Sequence, residues 1–236
     1  MEKKAQKRLM QAWIGGILVT LVLQWIPFGG LVLYPFTLLN TYIHEGMHAL
    51  AGIATGGSVH QIVINSDGSG VTLVQGGWAV VTGSAGYVGA ALFGGVILLL
   101  SRTEKQSRAM HWALVAFMAL ITLIWVRGGL VGLGVGLLWI TGLAVLAKKG
   151  DGSAVFWFAQ FIGIQQVSAS LGSLRDLNLI TRHNGGATDA LFLQEATGLP
   201  AMLWVIGWVI LSLLILVACI RSAWQNAGRT GNNPLA

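Results

Sequence analysis

Residues 41–50 read Thr41-Tyr42-Ile43-His44-Glu45-Gly46-Met47-His48-Ala49-Leu50, and this stretch lies inside an apolar run at roughly 31–54. His44, Glu45 and His48 form an H-E-x-x-H pattern. Histidines four apart on a helix share one face, so both imidazoles can reach a single zinc ion (Zn2+). Glu45 stands beside them, where a carboxylate can take a proton from a water that the ion has acidified. Peptide-bond hydrolysis is the usual use of this constellation. Its setting decides the fold. His44 is about 14 residues, or roughly 21 Å of helix, from the start of the run, which is well inside a bilayer. Glu45 is the sole acidic residue in the long apolar segments. An ionisable group in hydrocarbon is costly enough to mark function.

Composition points the same way. The chain has 236 residues, 55% hydrophobic and 9% charged, where a soluble domain carries about 25% charged residues. Its mean hydropathy is +0.73. These values exclude a soluble globular enzyme and a disordered tail, and a single cysteine, Cys219, excludes a disulfide scaffold. Fourteen basic against eight acidic residues give a net charge of +6. In a membrane protein such an excess reports loop orientation and anionic lipid, not nucleic acid.

Apolar segments recur at roughly 10–28, 31–54, 78–100, 110–126, 128–147, 154–174 and 200–220, most near the 20 or so residues that cross a bilayer. The pattern predicts an all-α polytopic membrane protein with six or seven transmembrane helices, multi-pass and placed in the cell membrane. The division of 110–147 rests on Arg127-Gly128-Gly129 alone. A basic tail at 1–9 precedes one membrane-embedded domain at 10–220, and a polar tail follows at 221–236. With seven crossings, seven basic residues fall on each side, so charge leaves orientation open unless one segment is re-entrant. Residues 58–75 differ. β-branched runs flank Asn65-Ser66-Asp67-Gly68-Ser69-Gly70, which reads as one small β-hairpin between the glycine pairs Gly56-Gly57 and Gly76-Gly77.

Three stretches, His44 to Gly52, Asp67 to Thr72, and Ala85-Gly86-Tyr87-Val88-Gly89-Ala90-Ala91-Leu92, together resemble a little-characterised, peptidase-like branch of the site-2 protease family of intramembrane zinc metalloproteases. The resemblance implies a metalloendopeptidase that cleaves a membrane-embedded protein substrate, with Zn2+ held by His44, His48 and an aspartate, and Glu45 as general base. It also implies that the hairpin presents substrate as an added strand. A structural connector is an equally good reading of the hairpin.

One departure matters. The family's aspartate ligand usually stands in an L-D-G context, and no L-D-G occurs here. Asp176 and Asp189 are the candidates. Asp176 is favoured because it continues a segment studded with Gln and Ser, so it can stay on a rigid helix. Asp189 follows Gly185-Gly186, and Thr188 and Asp189 look equally like a helix N-cap. The glycines of 83–95 suit close helix packing. His60, His111 and His183 read as solvated histidines at segment edges. Two other classes stay open: a non-proteolytic zinc-binding membrane protein, regulatory or chaperone-like, and a proton or metal transporter using Glu45. The absence of further acids in the helices counts against the transporter, and the complete motif against the binder.

Overall fold

The computed structural model describes residues 2–127, 129–182 and 188–226, with side-chain surroundings for all of these except 2 and 172–182. Its elements run α1 (Glu2–Trp25), α2 (Gly29–Ala54), β1 (Ser58–Ile64), β2 (Gly70–Gln75), α3 (Ala79–Leu100), α4 (Glu104–Ile124), α5 (Leu130–Lys149), α6 (Gly152–Arg182), α7 (Asp189–Thr197) and α8 (Ala201–Asn226). The chain is mostly helical, and five stretches, α3, α4, α5, α6 up to Leu171, and α8, are long and apolar enough to cross a membrane. Many of their outward side chains are large and apolar, such as Leu123, Leu138 and Leu214. A lipid-facing surface requires that.

The turn between α1 and α2 shows why the chain can reverse there. Phe28 takes a left-handed conformation, φ 63°. A Cβ at Gly29 would lie 1.8 Å from the Leu23 carbonyl oxygen, so only glycine fits. Helix α2 then passes through the middle of the bundle. Leu39, Tyr42 and Ile43 are fully buried, against Ile97 of α3, Leu114, Met118 and Ile121 of α4 and Leu143 of α5. Inside this core the Tyr42 and Thr122 hydroxyls share a 2.5 Å hydrogen bond, and Thr122 also donates to the Met118 carbonyl. Polar groups therefore keep partners where no solvent is within reach.

The hairpin forms where the residues place it. β1 and β2 pair antiparallel from Ile64 opposite Gly70 to Ser58 opposite Gln75, with a bulge at His60. It does not hang free in lipid. The Ile62 amide donates to the Trp125 carbonyl at 2.8 Å, and the Arg127 amide donates to the Ile62 carbonyl at 3.0 Å. β1 thus has a partner on both edges, and among the described residues β2 has one on a single edge. The Tyr34 hydroxyl donates to the Ser66 carbonyl, tying the turn to the start of α2.

One expectation is corrected here. His111 is not at a solvated edge: it is fully buried in α4, and its Nδ1–H donates to the Ser107 carbonyl at 2.7 Å. The ring bonds one turn back along the helix through Nδ1, while its buried Nε2 has no partner among the described residues. His60 is indeed exposed, with its Nε2 2.9 Å from the Gln75 side-chain oxygen. His183 lies outside the described residues.

The packing of α3 on α6 depends on two glycines. A Cβ at Gly94 would lie 2.9–3.0 Å from Val167 and Gln166, including the Val167 backbone nitrogen, and one at Gly163 would meet Leu98 at 2.7 Å. Backbone cannot rotate away as a side-chain tip can. Gly94→Ala is therefore expected to cost about 1–3 kcal/mol by overpacking, read as a lowered unfolding midpoint in detergent. Gly134→Ala, with nothing within 4 Å, should stay within about 0.5 kcal/mol of the parent. Equal midpoints for the two variants would remove the close-packing argument.

Candidate metal centre

His44 and His48 lie one turn apart on the same face of α2, with their Nε2 atoms 3.0 Å apart. The His48 Nδ1–H donates to the Thr82 carbonyl on α3 at 2.7 Å. That bond places the proton on Nδ1, so the Nε2 lone pair stays free to bind a cation. The His44 ring packs edge-on against Tyr87, centroids 4.6 Å apart, and Tyr87 in turn stacks on Trp208 of α8.

The third group comes from α7. Asp189 Oδ2 lies 3.3 Å from His44 Nε2 and 3.2 Å from His48 Nε2. Thr188, not Asp189, caps α7: its hydroxyl accepts the Leu191 amide at 3.2 Å. The Asp189 carboxylate is thereby left for the histidines. Leu193 brings α7 close, because α3 has no side chain at Gly83, where a Cβ would sit 2.8 Å from Leu193. Asp176 lies on α6, and its side chain is outside the described residues.

These atoms fit a metal ion. Two imidazole nitrogens and one carboxylate oxygen form a triangle of 3.0–3.3 Å edges. Tetrahedral ligands at about 2.0–2.1 Å from zinc stand roughly 3.3–3.4 Å apart. Three protein ligands leave a fourth position for water or substrate, as catalytic sites require. This is the one group of three or more metal-ligand side chains found among the described residues.

Glu45 is buried and sits between the histidines and the hairpin. The Thr72 hydroxyl of β2 lies 2.7 Å from its Oε2 and 3.0 Å from its backbone carbonyl. A Cβ at Gly70 would meet the Glu45 and Thr41 side chains at 2.7–2.8 Å, so β2 can lie flat on the H-E-x-x-H helix only with glycine there. The Thr41 hydroxyl donates to the Gly68 carbonyl at 2.6 Å. At the hairpin tip the Ser69 hydroxyl and amide donate to Asp67, which holds its carboxyl below the usual carboxylate range. The stretch Asp67 to Thr72 is thus a clamp on α2.

The site opens into a cavity of about 900 Å³, walled by α2, the hairpin and α6. Two of its polar residues went unnoticed in the sequence. Asn40 is one turn before His44 and 5% exposed, and its Oδ1 has no partner among the described residues. Thr82 is 8% exposed, with its Oγ1 similarly unpartnered. Spacing could have found Asn40, since residues i and i+4 share a helix face. Nothing local marks Thr82.

Gly86 was also more than a packing residue. A Cβ there would lie 2.3 Å from His48 Nε2 and 2.4 Å from His44 Nε2. Gly86→Ala is expected to abolish bound metal while leaving the far-ultraviolet helical signal in place. Elemental analysis of purified protein checks this, and full occupancy in the variant would mean that the ion is held elsewhere.

A family model described as Peptidase M50B-like matches residues 14–219. No curated protein and no solved structure gives a significant match. The family match and five helices able to span a membrane make this a multi-pass integral membrane protein. The chain belongs to the Peptidase M50B-like family, within the site-2 proteases.

Proposed function

We propose that the protein is a zinc-dependent intramembrane endopeptidase that cleaves a membrane-embedded protein substrate. The observation that carries this reading is the convergence of His44, His48 and Asp189 within 3.0–3.3 Å, next to a buried glutamate whose carboxylate is oriented by Thr72. The site-2 protease family membership supports it.

His44, His48 and Asp189 would hold the ion. Asp189 takes precedence over Asp176 on position, since its oxygen already stands against both imidazoles. The donor set of two imidazoles and a carboxylate suits zinc. When bound, zinc supplies Lewis-acid polarisation of the scissile carbonyl and lowers the pKa of a water towards about 7. Glu45 is the general base. It takes one proton from the attacking water as the new C–O bond forms. It then delivers that proton to the amide nitrogen as the C–N bond breaks. The Thr72 hydrogen bond keeps Oε2 engaged, so the carboxylate cannot swing away from the site.

Hydrolysis needs an extended substrate, because a helix hides its amide bonds in its own ladder. The edge of β2 that has no strand partner among the described residues fits that need. It borders the cavity at Gly70, Val71 and Thr72, and an unwound stretch of substrate would add to it as a strand.

Three variants test the roles. Glu45→Gln should keep about one zinc per chain and lower cleavage of a transmembrane substrate by about a hundredfold or more. Asp189→Ala should lose the zinc, and Asp176→Ala should retain it. Loss of zinc from Asp176→Ala with full occupancy in Asp189→Ala would assign the third ligand to α6. Cleavage undiminished in Glu45→Gln would end the general-base assignment.

A further inference from the structure

The basic residues are gathered at one end of the helix bundle. Arg8 of α1 donates to Glu104 of α4 at 2.9 Å and to Ser153 of α6 at 3.1 Å. Three helices therefore start together. The Gln6 side chain donates to the Trp224 carbonyl at the end of α8, and Trp13 packs on Trp224. Arg108 of α4 donates to the Ala147 and Gly150 carbonyls at the end of α5. This end holds Lys3, Lys4, Lys7 and Arg8 from α1, and Arg102, Lys105 and Arg108 from the α3–α4 corner. Lys148 and Lys149 come from α5, and Arg221 from α8. The acids there are Glu2, Glu104 and Asp151.

The opposite end is nearly free of such charge. It gathers the α2–hairpin–α3 connection, where the Trp78 amide donates to Thr55, the α4–α5 corner on β1, and the α7–α8 corner. Arg127 lies there with its guanidinium spent on the carbonyls of Leu123, Ile124 and Val126. Arg175 and Arg182 follow along α6 towards the same end. The seven-and-seven tally arose from counting α2 as a crossing. α1 leaves the basic end and α3 returns to it, so α2 with its hairpin makes no net crossing.

We propose that the basic end is the surface this protein turns to the anionic headgroups of the cytoplasmic leaflet, and that the metal site lies in the other half of the membrane. Short loops rich in Lys and Arg stay on the cytoplasmic side, where anionic lipid attracts them. Six crossings follow, by α1, α3, α4, α5, α6 and α8, with the starts of α1 and the end of α8 both cytoplasmic. The depth follows from α3. Thr82, which holds His48, is its fourth residue, and Gly86 is its eighth. At 1.5 Å per residue the site is about 10 Å from the start of α3 and about 20 Å from its basic end. On the proteolytic reading, on which this last step rests, the scissile bond lies in the outer half of the substrate helix.

Sided labelling tests it without any proteolysis. In full-length chain carrying Cys219→Ala, one cysteine replaces either Lys149 or Glu195, both exposed, and each is confirmed to react in detergent. Spheroplasts are treated with a maleimide that does not cross membranes. The expected result is that Glu195→Cys labels in intact spheroplasts, whereas Lys149→Cys labels at least tenfold less until the membrane is permeabilised. The reverse pattern, or equal labelling of both, overturns the orientation. The same two reporters with Lys3→Gln, Lys4→Gln, Lys7→Gln and Lys148→Gln added are expected to give mixed labelling. One-sided labelling of those chains, as in the parent, would show that headgroup attraction does not set the orientation.

Discussion

Two imidazoles one turn apart fill most of the space beside a helix, and a third ligand can join them only if the facing helix gives way. Here α3 gives way at Gly86, where any side-chain carbon would fall 2.3–2.4 Å from both Nε2 atoms. Three residues earlier, about one turn of α3, Gly83 admits Leu193 and with it α7. Thr82 uses the same closeness to reach His48 with its carbonyl. A stripe of glycine that serves helix association elsewhere in lipid therefore also shapes the site. The tautomer of His48, the approach of Asp189 and the room for a ligand all follow from α3 lying against α2.

The hairpin answers a second constraint. Backbone amides and carbonyls at membrane depth must find partners within the protein, and a lone two-stranded ribbon would leave two open edges. Residues 125–127 close the edge of β1. The edge of β2 borders the cavity, where water or another chain can take its place. Gly70 and Thr72 hold this edge against Glu45. The element that hydrogen-bonds Glu45 thus also carries the backbone groups that have no strand partner among the described residues, and on the proteolytic reading this would couple substrate pairing to the geometry of the site.

The parts of this arrangement that are local in sequence were legible. H-E-x-x-H needs only helical spacing, and the Asn65-to-Gly70 turn between β-branched runs needs only turn chemistry. Which of the two candidate aspartates, Asp176 or Asp189, approaches the histidines was not legible, and the structure brings Asp189 against both. Thr188 and Asp189 are equally good caps on paper, and only the packing of Leu193 against Gly83 decides which of them turns towards the histidines. Asp176 is favoured on paper because it continues the Gln- and Ser-studded segment on a rigid helix, and its side chain lies outside the described residues. Charge failed for a similar reason. Counting basic residues by side requires knowing which segments cross, and α2, read as a crossing from the apolar run at 31–54, is not among the helices long and apolar enough to span.

A polar site within lipid also has to hold water, and the polar residues of the cavity bear on that. Asn40 and Thr82 keep oxygen atoms without protein partners among the described residues. A polar group stranded in an apolar surrounding costs about 1–3 kcal/mol. In a hydrated cavity that cost falls, because ordered water supplies the missing bond. Gln165 supports the same reading from α6, with its amide donating to Thr20 at 2.6 Å across the mouth of the cavity. Of the Gln and Ser residues that make α6 unusual for a membrane helix, Gln165 and Ser168 belong to this wall. The polarity of α6 and the burial of Glu45 are two sides of one requirement. A carboxylate buried at such depth needs hydrogen-bond donors in place of bulk solvent, and the Thr72 hydroxyl supplies one to Glu45.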